Sequence, residues 1–256
     1  MKLENKVVLI TGGSRGIGKA IGRLFAQHGA QVIITSKNGK LLKKASVEIN
    51  GSFCIMGNVK NEKDVKQIVT KTIKKFKKID ILINNAGVLP EMKPLHKITE
   101  KEWLDIIDVN LNGAFRFTKE VIPHMQKNGG SIINIASDAG LKAFENFYAD
   151  GYSAAKAAVI HLTKVWALEY AKYNIRVNCI SAAVVDTDMT KKFWLNSKKM
   201  IKLTTKEHPL GRIGKVEDIA NAALYLQPTH SPAAYIFGLL VLKKLSTFFL
   251  NFGGES

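Results

Sequence analysis

The sequence predicts an α/β fold: a doubly wound parallel sheet in three layers, α/β/α, forming a single domain over residues 1–256. Short runs of apolar, often β-branched residues alternate along the chain with longer segments whose apolar residues recur at helical spacing. Strands that are apolar at nearly every position are buried on both faces, which is typical of a parallel sheet covered by helices. No linker, repeat or low-complexity segment interrupts the alternation.

Six strands and five helices are predicted in order. The strands span 6–11, 31–35, 52–56, 79–84, 131–136 and 175–180. The first helix ends near His28, and the others span 41–49, 64–76, 99–125 and 151–173. The long fourth helix has Thr99 as its N-cap and Glu102 three residues later, which is the pattern of a capping box. Residues 238–242 can form a seventh strand.

The chain is basic, with a formal net charge of +17. Its densest basic run, residues 71–78, keeps Ile73 and Phe76 at helical spacing for a core, so its lysines are expected on a solvated face. Nucleic-acid binding is the alternative interpretation. We found no basic patch interleaved with aromatic residues and no Cys/His spacing typical of a metal site. We therefore expect neither a nucleic-acid partner nor a bound metal.

The apolar segments are too short for a membrane span of about 18 residues. The longest, near residues 233–242, stops at Lys243 and Lys244, and the apolar run at the N-terminus is too short for a signal peptide. Cys54 and Cys179 lie singly in strand-like runs, as buried thiols do in a reducing compartment. These observations predict a cytoplasmic protein with no membrane partner.

A glycine-rich turn joins the first strand to the first helix, with the pattern Thr11-Gly12-x-x-x-Gly16-x-Gly18. Glycines allow a tight turn and a close approach of the backbone to a pyrophosphate, which then binds at the helix N-terminus. The spacing differs from the common G-x-G-x-x-G. Its position between strand and helix nevertheless predicts a Rossmann-type, NAD(P)-binding domain.

Tyr152 and Lys156 lie four residues apart in the predicted helix 151–173, on one face. A free phenol has a pKa of about 10, and a neighbouring ammonium lowers that value by favouring the phenolate. Such a tyrosine could protonate an alkoxide or deprotonate an alcohol. The pair alone is weak evidence, because a surface lysine near a half-buried tyrosine is common.

Three further features accompany the glycine turn and the Tyr152–Lys156 pair. They are Asn84, Asn85, Ala86 and Gly87 after the fourth strand, Asn110 in the long helix, and Ser137 after the fifth strand. Together these motifs resemble the short-chain dehydrogenase/reductase family over residues 4–227. The resemblance implies an oxidoreductase that transfers a hydride between a nicotinamide cofactor and a carbonyl or alcohol. It also implies cofactor-binding residues: Gly12, Ser14, Arg15, Gly16, Ile17, Gly18, Ser36, Lys37, Asn58, Val59, Asn84, Ala86, Gly87, Tyr152, Lys156, Val185 and Thr187.

The resemblance implies four catalytic residues. Tyr152 is the acid/base, and Lys156 lowers its pKa and binds the nicotinamide ribose. Ser137 holds the substrate oxygen, and Asn110 holds a water that links Lys156 to solvent.

The end of the second strand indicates the cofactor. An acidic residue about 20 positions beyond the glycines would bind the ribose of NAD. The sequence there is Thr35-Ser36-Lys37-Asn38, without a carboxylate, and Arg15, Ser36 and Lys37 could instead hold a 2′-phosphate. NADPH is therefore the expected cofactor, with NAD as a possible one.

Two segments depart from the family pattern. Ala182-Ala183 replaces the usual Pro-Gly after the sixth strand, so a loop that needs φ > 0 at Ala183 would be strained. The apolar tail, 228–256, with Phe248, Phe249 and Phe252, is atypical where relatives form subunit contacts. We expect a homo-oligomer, a dimer or tetramer, although the tail departs from the family pattern.

Reduction of a 3-oxoacyl group on acyl-carrier protein is the leading specific activity, since residues 185–189 and 209–214 are similar to such reductases and a basic surface suits an acidic carrier. Small ketones, sugars and steroids stay open, because specificity depends on the loops 89–94, 139–147 and 189–203. A nucleotide-binding or scaffolding protein with little turnover is the alternative from another class.

Overall fold

The computed structural model describes residues 3–145 and 147–227, together with the backbone of 236–239. Seven parallel strands form one sheet in the order β3-β2-β1-β4-β5-β6-β7. The strands are β1 Val7–Thr11, β2 Gln31–Ser36, β3 Phe53–Met56, β4 Ile81–Asn84, β5 Gly130–Ser137, β6 Ile175–Ala182 and β7 Ile236–Leu239. The predicted doubly wound parallel sheet is thus confirmed.

Helices cover both faces of this sheet. They are α1 Gly16–Gln27, α2 Gly39–Glu48, α3 Glu62–Phe76, α4 Glu100–Ile107, α5 Gly113–Met125, α6 Asp150–Tyr170, α7 Asp188–Lys191, α8 Lys198–Lys206 and α9 Val216–Tyr225. Side chains alternate along a strand, so Val8 and Ile10 of β1 pack with α1, α2 and α9, whereas Val7 and Leu9 pack with α3, α5 and α6. This two-sided burial is why β1 is apolar from Val7 to Ile10.

The long helix predicted over 99–125 is divided. Thr99 caps α4 in the predicted capping box with Glu102, but a π-helical turn, Asp108–Asn112, separates α4 from α5. Such turns arise where an extra residue is accommodated in the helix and often occur at functional sites. A single inserted residue changes the spacing of apolar residues very little, so the sequence pattern did not reveal the π-helical turn.

The C-terminal third differs from the prediction in two ways. The segment 189–203, expected as a loop, carries most of α7 and α8, each begun by a hydroxyl N-cap, Thr187 or Ser197. The seventh strand lies at Ile236–Leu239 and begins two residues earlier than expected. Apart from that strand, the tail 228–256 with its three phenylalanines lies outside the described residues. In the described part, no helix combines the length and the apolarity needed to cross a membrane.

The strand order positions the site. From β1 the chain moves outward through β2 to β3, then returns to β4 on the other side of β1. The loops after β1 and β4 therefore leave the sheet in opposite directions and open a crevice between them. Ligands of open α/β sheets bind at such a switch point, outside the carboxyl ends of the strands.

Candidate active site

A cavity of about 640 Å³ runs along the carboxyl ends of the central strands. Gly12 lines it beyond β1, Ser36 at the end of β2, Ala86 beyond β4, Ser137 at the end of β5 and Ala182 at the end of β6. Its volume is in the range of pockets that enclose small ligands and cofactors. The cavity thus lies where the strand order predicts a crevice.

Most of the predicted site residues line this cavity. They are Gly12, Ser14, Arg15, Gly16, Ile17, Ser36, Lys37, Asn58, Val59, Ala86, Gly87, Ser137, Tyr152, Lys156, Val185 and Thr187. Gly18, Asn84 and Asn110 are not among the residues that line it.

The glycine-rich turn forms one wall. Gly12 and Gly16 have φ of +66° and +51°, values that side chains disfavour, and a Cβ on Gly12 would lie 2.9 Å from Cα of Ala86. No side chain caps the N-terminus of α1, and its first turn carries no acidic residue. Free N–H groups at a helix N-terminus attract an anion. This wall therefore fits the pyrophosphate of a dinucleotide.

Gly18 and Asn84, both predicted as cofactor contacts, are not among the residues that line the cavity and support this wall from behind. A Cβ on Gly18 would lie 2.4 Å from Nδ2 of Asn85, so the glycine makes room for that side chain. Asn84 is buried and its Nδ2 donates to Thr118 and Asn134, at 3.0 and 2.8 Å. Strand alternation places Asn84 on the same face as Leu82, toward α5 and α6.

Asn85 is the residue that the prediction missed. It lines the cavity, and its Nδ2 donates to the carbonyl oxygens of Thr11 and Gly12, at 2.9 and 3.1 Å. Thr11 Oγ1 accepts the backbone N–H groups of Asn85 and Ala86, both at 3.0 Å. These bonds tie the loop after β4 to the glycine turn. The period-two pattern of β4 could have distinguished Asn85 from Asn84.

Asn110 lies in the π turn and is 2% exposed. Its Oδ1 accepts the N–H of Val88 at 3.1 Å, and its Nδ2 donates to the oxygens of Val88 and Ile106 at 2.9 and 3.0 Å. The side chain thus holds the loop after β4 in place beside Gly87, whose Cβ would lie 2.9 Å from Asn110 Oδ1. Asn110 therefore supports the cavity wall without lining the cavity.

Hydroxyl and basic groups lie together at the end of the cavity beside β2. Ser14 Oγ donates to Ser36 Oγ at 3.1 Å, and Lys37 lines the same end. The guanidinium of Arg15 lies 3.8 Å from the carboxylate of Asp188, and both side chains are more than half exposed. An exposed pair of this kind is weak, so Arg15 can turn to another anion.

Ser137 and Tyr152 are in contact at the other end of the cavity, away from Ser36 and Lys37. Ser137 ends β5, and its hydroxyl forms a hydrogen bond with Tyr152, which lies in the first turn of α6. Burial raises the pKa of Tyr152 to about 12; the Ser137 hydrogen bond opposes this and the charge of Asp138 adds to it. The sequence predicted a lowered pKa. In this structure burial dominates, so the phenol is held neutral.

Lys156 lies under the ring of Tyr152. Its Nζ donates to the carbonyl oxygen of Ile135 at 2.8 Å and lies 5.6 Å from the centroid of the ring. Burial lowers the pKa of this ammonium to about 8, with the Cys179 thiol opposing the shift. The helical spacing correctly predicted neighbouring side chains. It could not show that the ammonium lies at the ring face, bonded to a backbone oxygen.

The loop after β6 closes the cavity without strain at Ala183. The described non-glycine residues with positive φ are Asn5, Asn50, Lys77 and Asn174, so Ala183 does not have the positive φ that would strain it. Backbone pairing with Gly214 holds the loop: Asp186 N donates to Gly214 O at 2.8 Å, and Gly214 N to Val184 O at 3.1 Å. The Ala-Ala sequence is thus accommodated in ordinary backbone geometry.

Two further buried titratable residues line the cavity, Asp138 and His208, and the sequence pattern predicted neither as a site residue. Asp138 is 8% exposed and His208 is 4% exposed. His208 Nδ1 donates to the carbonyl oxygen of Thr204 at 2.7 Å, and its Nε2 is buried with no protein partner among the described residues. A charged residue directly after Ser137 was the available signal for Asp138. Nothing local marks His208, because α8 brings it there.

Fold and site together define a class of protein. A doubly wound sheet with a glycine-lined crevice at its switch point is the arrangement of a dinucleotide-binding protein. Comparison with known proteins narrows this class. The family model described as "Enoyl-(Acyl carrier protein) reductase" matches residues 12–238.

The chain is 39% identical over 246 residues to the 3-oxoacyl-[acyl-carrier-protein] reductase FabG of Thermotoga maritima, which covers 94% of this chain and 97% of the relative. It is 35% identical over 228 residues to the L-fucose dehydrogenase of Bos taurus, with 88% and 84% covered. The crystal structure of a 3-ketoacyl-(acyl-carrier-protein) reductase from Brucella melitensis complexed with NADH superposes with a TM-score of 0.85, at 29% identity, over 93% of this chain and 98% of that one. This protein belongs to the short-chain dehydrogenase/reductase family and is an oxidoreductase.

Proposed function

We propose that this protein is an NADPH-dependent carbonyl reductase whose leading substrate class is a 3-oxoacyl thioester carried by acyl-carrier protein. The observation that carries the proposal is the hydrogen-bonded pair of Ser137 and Tyr152 at the inner end of a nucleotide-sized cavity, with Lys156 beneath the tyrosine ring. Relatives such as the 3-oxoacyl-[acyl-carrier-protein] reductase of Thermotoga maritima support the substrate class. The basic surface suits an acidic carrier.

Each residue has a distinct task in this proposal. Tyr152, kept neutral by burial, is a proton donor to the oxygen of a bound carbonyl. Ser137 holds that oxygen close to the phenol, and Lys156 fixes the tyrosine ring from below while anchored to Ile135. The bound nicotinamide would supply the hydride. Asn110 acts indirectly, by fixing the Val88 segment of the wall.

NADPH is the proposed cofactor, with NADH as a weaker one. Gly12 and the uncapped start of α1 would hold the pyrophosphate. Ser36, Lys37 and Arg15 would hold the 2′-phosphate, as two of them are cations and none of the residues from 37 to 47 is acidic. The NADH in the Brucella melitensis structure belongs to that protein and leaves the choice to be measured here.

Oxidation of a sugar is the second candidate. It is favoured by the polar groups at the substrate end, where Asp138, Glu145, Glu207 and His208 line the cavity. Such groups hydrogen-bond hydroxyls better than they accommodate an acyl chain. The relatives named L-fucose dehydrogenase agree with this alternative.

A substrate panel tests both candidates. The protein is mixed with NADPH and an acetoacetyl thioester of N-acetylcysteamine, with NADPH and cyclohexanone, and with NADP⁺ and L-fucose, and each set is repeated with the non-phosphorylated nicotinamide. Turnover of the thioester supports the proposal, whereas turnover of L-fucose alone supports the sugar reading. Cofactor binding without turnover of any compound would point instead to a nucleotide-binding or scaffolding role.

A homo-oligomer in the cytoplasm completes the proposal. Leu104 on α4, Phe115 on α5 and Leu168 on α6 are 55, 48 and 82% exposed, and contact with a second copy of the chain would remove these apolar side chains from water. Cys54 and Cys179 are free thiols, as expected in a reducing compartment. Light scattering coupled to size exclusion checks the assembly: a mass of two or four chains is expected, and a monomer would overturn it.

A further inference from the structure

Asp138 follows Ser137 directly and begins the short 3₁₀ turn, Asp138–Gly140, at the end of β5. It is 8% exposed and lines the cavity. Aspartate is seldom buried to this degree unless a partner holds it. Its nearest partner is the serine proposed above to hold the substrate oxygen.

The hydrogen bond between the two residues has a direction. Ser137 Oγ donates its proton to Asp138 Oδ1 at 3.1 Å, and it accepts the backbone N–H of Ala139 at 3.2 Å. A hydroxyl has one proton. In this structure that proton points at the carboxylate, so Ser137 offers Tyr152 a lone pair and the Tyr152 hydroxyl is the donor of their bond. To hold a substrate oxygen, the Ser137 hydroxyl turns its proton from Asp138 to that oxygen.

The titratable groups that face Asp138 come from three parts of the chain. Lys142 follows its own turn, Tyr152 lies in α6, and His208 lies two residues after the end of α8. Burial raises the pKa of Asp138, with the Ser137 hydrogen bond, the Ala139 N–H, Lys142 and His208 opposing the shift. In turn, the charge of Asp138 raises the pKa of Tyr152.

We propose that Asp138 is a positioning residue: its carboxylate directs the Ser137 hydroxyl and keeps the acidic proton on Tyr152. This inference rests on the function proposed above, in which Tyr152 exchanges a proton with the substrate oxygen. A negative charge beside the phenol disfavours the phenolate. Removing that charge should therefore let Tyr152 ionise at lower pH, while removing the acceptor as well should leave the Ser137 hydroxyl undirected.

Two variants separate these effects. Asp138→Asn keeps the shape and an acceptor oxygen but removes the charge, whereas Asp138→Ala removes both. For each, kcat and KM are measured against pH in both directions, using the panel compound and its product that the unmodified protein turns over fastest. Asp186→Asn is the matched control, because Asp186 is about half exposed, pairs with Lys191 and is not among the residues that line the cavity.

In Asp138→Asn we expect the rise of oxidation with pH, and the fall of reduction with pH, to move down by about one pH unit. Its maximal kcat should stay within about threefold of the unmodified value. Asp138→Ala should show the same shift and a further loss in kcat of about tenfold. The KM for the cofactor should change in neither variant, and Asp186→Asn should leave the profile in place.

A profile that keeps its position in Asp138→Asn while only its height falls would assign Asp138 a merely structural role and overturn the inference. Thermal melting of each variant shows whether the fold is intact, and the asparagine variant preserves the test if the alanine variant does not fold. If the unmodified protein turns over no compound, the proposed function fails first. Turnover with an unmoved profile defeats this inference alone.

Discussion

Tyr152 is the residue on which the proposed chemistry depends most, and its surroundings favour the neutral phenol. Burial and the charge of Asp138 both act against the phenolate, and the Ser137 hydrogen bond only partly compensates. A neutral phenol suits proton donation to a carbonyl oxygen. Since the positive charge of Lys156 lies at the ring face, its main effect in this structure is to position the ring.

Replacing Tyr152 by phenylalanine removes the proton and keeps the ring. We expect kcat to fall by about 100-fold or more, the usual contribution of a general acid. The affinity for NADPH should stay nearly unchanged, which fluorescence titration of the cofactor would measure. Near-normal kcat in this variant would show that another group supplies the proton.

Ser36 is expected to decide between the two nicotinamides. The unmodified protein should bind NADPH more tightly than NADH, and more so at low salt, because ionic contacts at an exposed site are screened. Ser36→Asp should reverse the order, since a carboxylate repels a 2′-phosphate. Ser36→Ala is the control: it removes the bond from Ser14 without adding charge, so the order should hold. Equal affinities in the unmodified protein would refute the assignment.

At the scale of single elements, the loop after β6 shows how a missing motif can be compensated. Ala183 needs no positive φ, and pairing of residues 184–186 with Gly214 fixes the path of the loop. Ala182 is the last residue of β6 and pairs with Ser137 of β5. A relative's Pro-Gly is therefore not required for this backbone.

Introducing Pro at 182 and Gly at 183 should consequently fail to tighten NADPH binding. Proline inside a paired strand removes a ladder donor, so the free energy of unfolding should fall by about 1–3 kcal/mol. Denaturant unfolding measures this loss, and Ala183→Gly alone serves as the control with a change below about 1 kcal/mol. Tighter cofactor binding in the double variant would mean that the native loop hinders the site.

At the scale of the whole molecule, the buried ammonium of Lys156 lowers the free energy of unfolding. Lys156 is 5% exposed and its folded pKa of about 8 lies below the ordinary value of 10.5. The unfolded chain therefore binds more protons between these two values, and stability rises with pH across that window. Below about pH 8 the folded state carries the full unfavourable contribution of the buried ammonium.

Lys156→Met should for this reason raise the melting temperature while abolishing turnover. We expect a gain in the free energy of unfolding of about 1–3 kcal/mol at pH 7, less than the shift alone implies because the bond to Ile135 is also lost. The gain should shrink as pH rises through 8 to 10.5. Calorimetry at pH 7 and pH 9.5 tests the trend, and a constant difference would show that burial does not set this pKa.

The sequence by itself determined the parallel sheet, the glycine turn at the start of α1 and the nearness of Tyr152 to Lys156. Each depends on local spacing: apolar runs, glycine before a helix, and residues four apart on one helical face. The tertiary structure alone decided that Asn85 rather than Asn84 lines the cavity, that Asp138 accepts a hydrogen bond from Ser137, and that α8 brings His208 to the same end. It also decided the sign of the Tyr152 shift, because desolvation depends on everything packed around a group, and that packing comes from residues far apart in the chain.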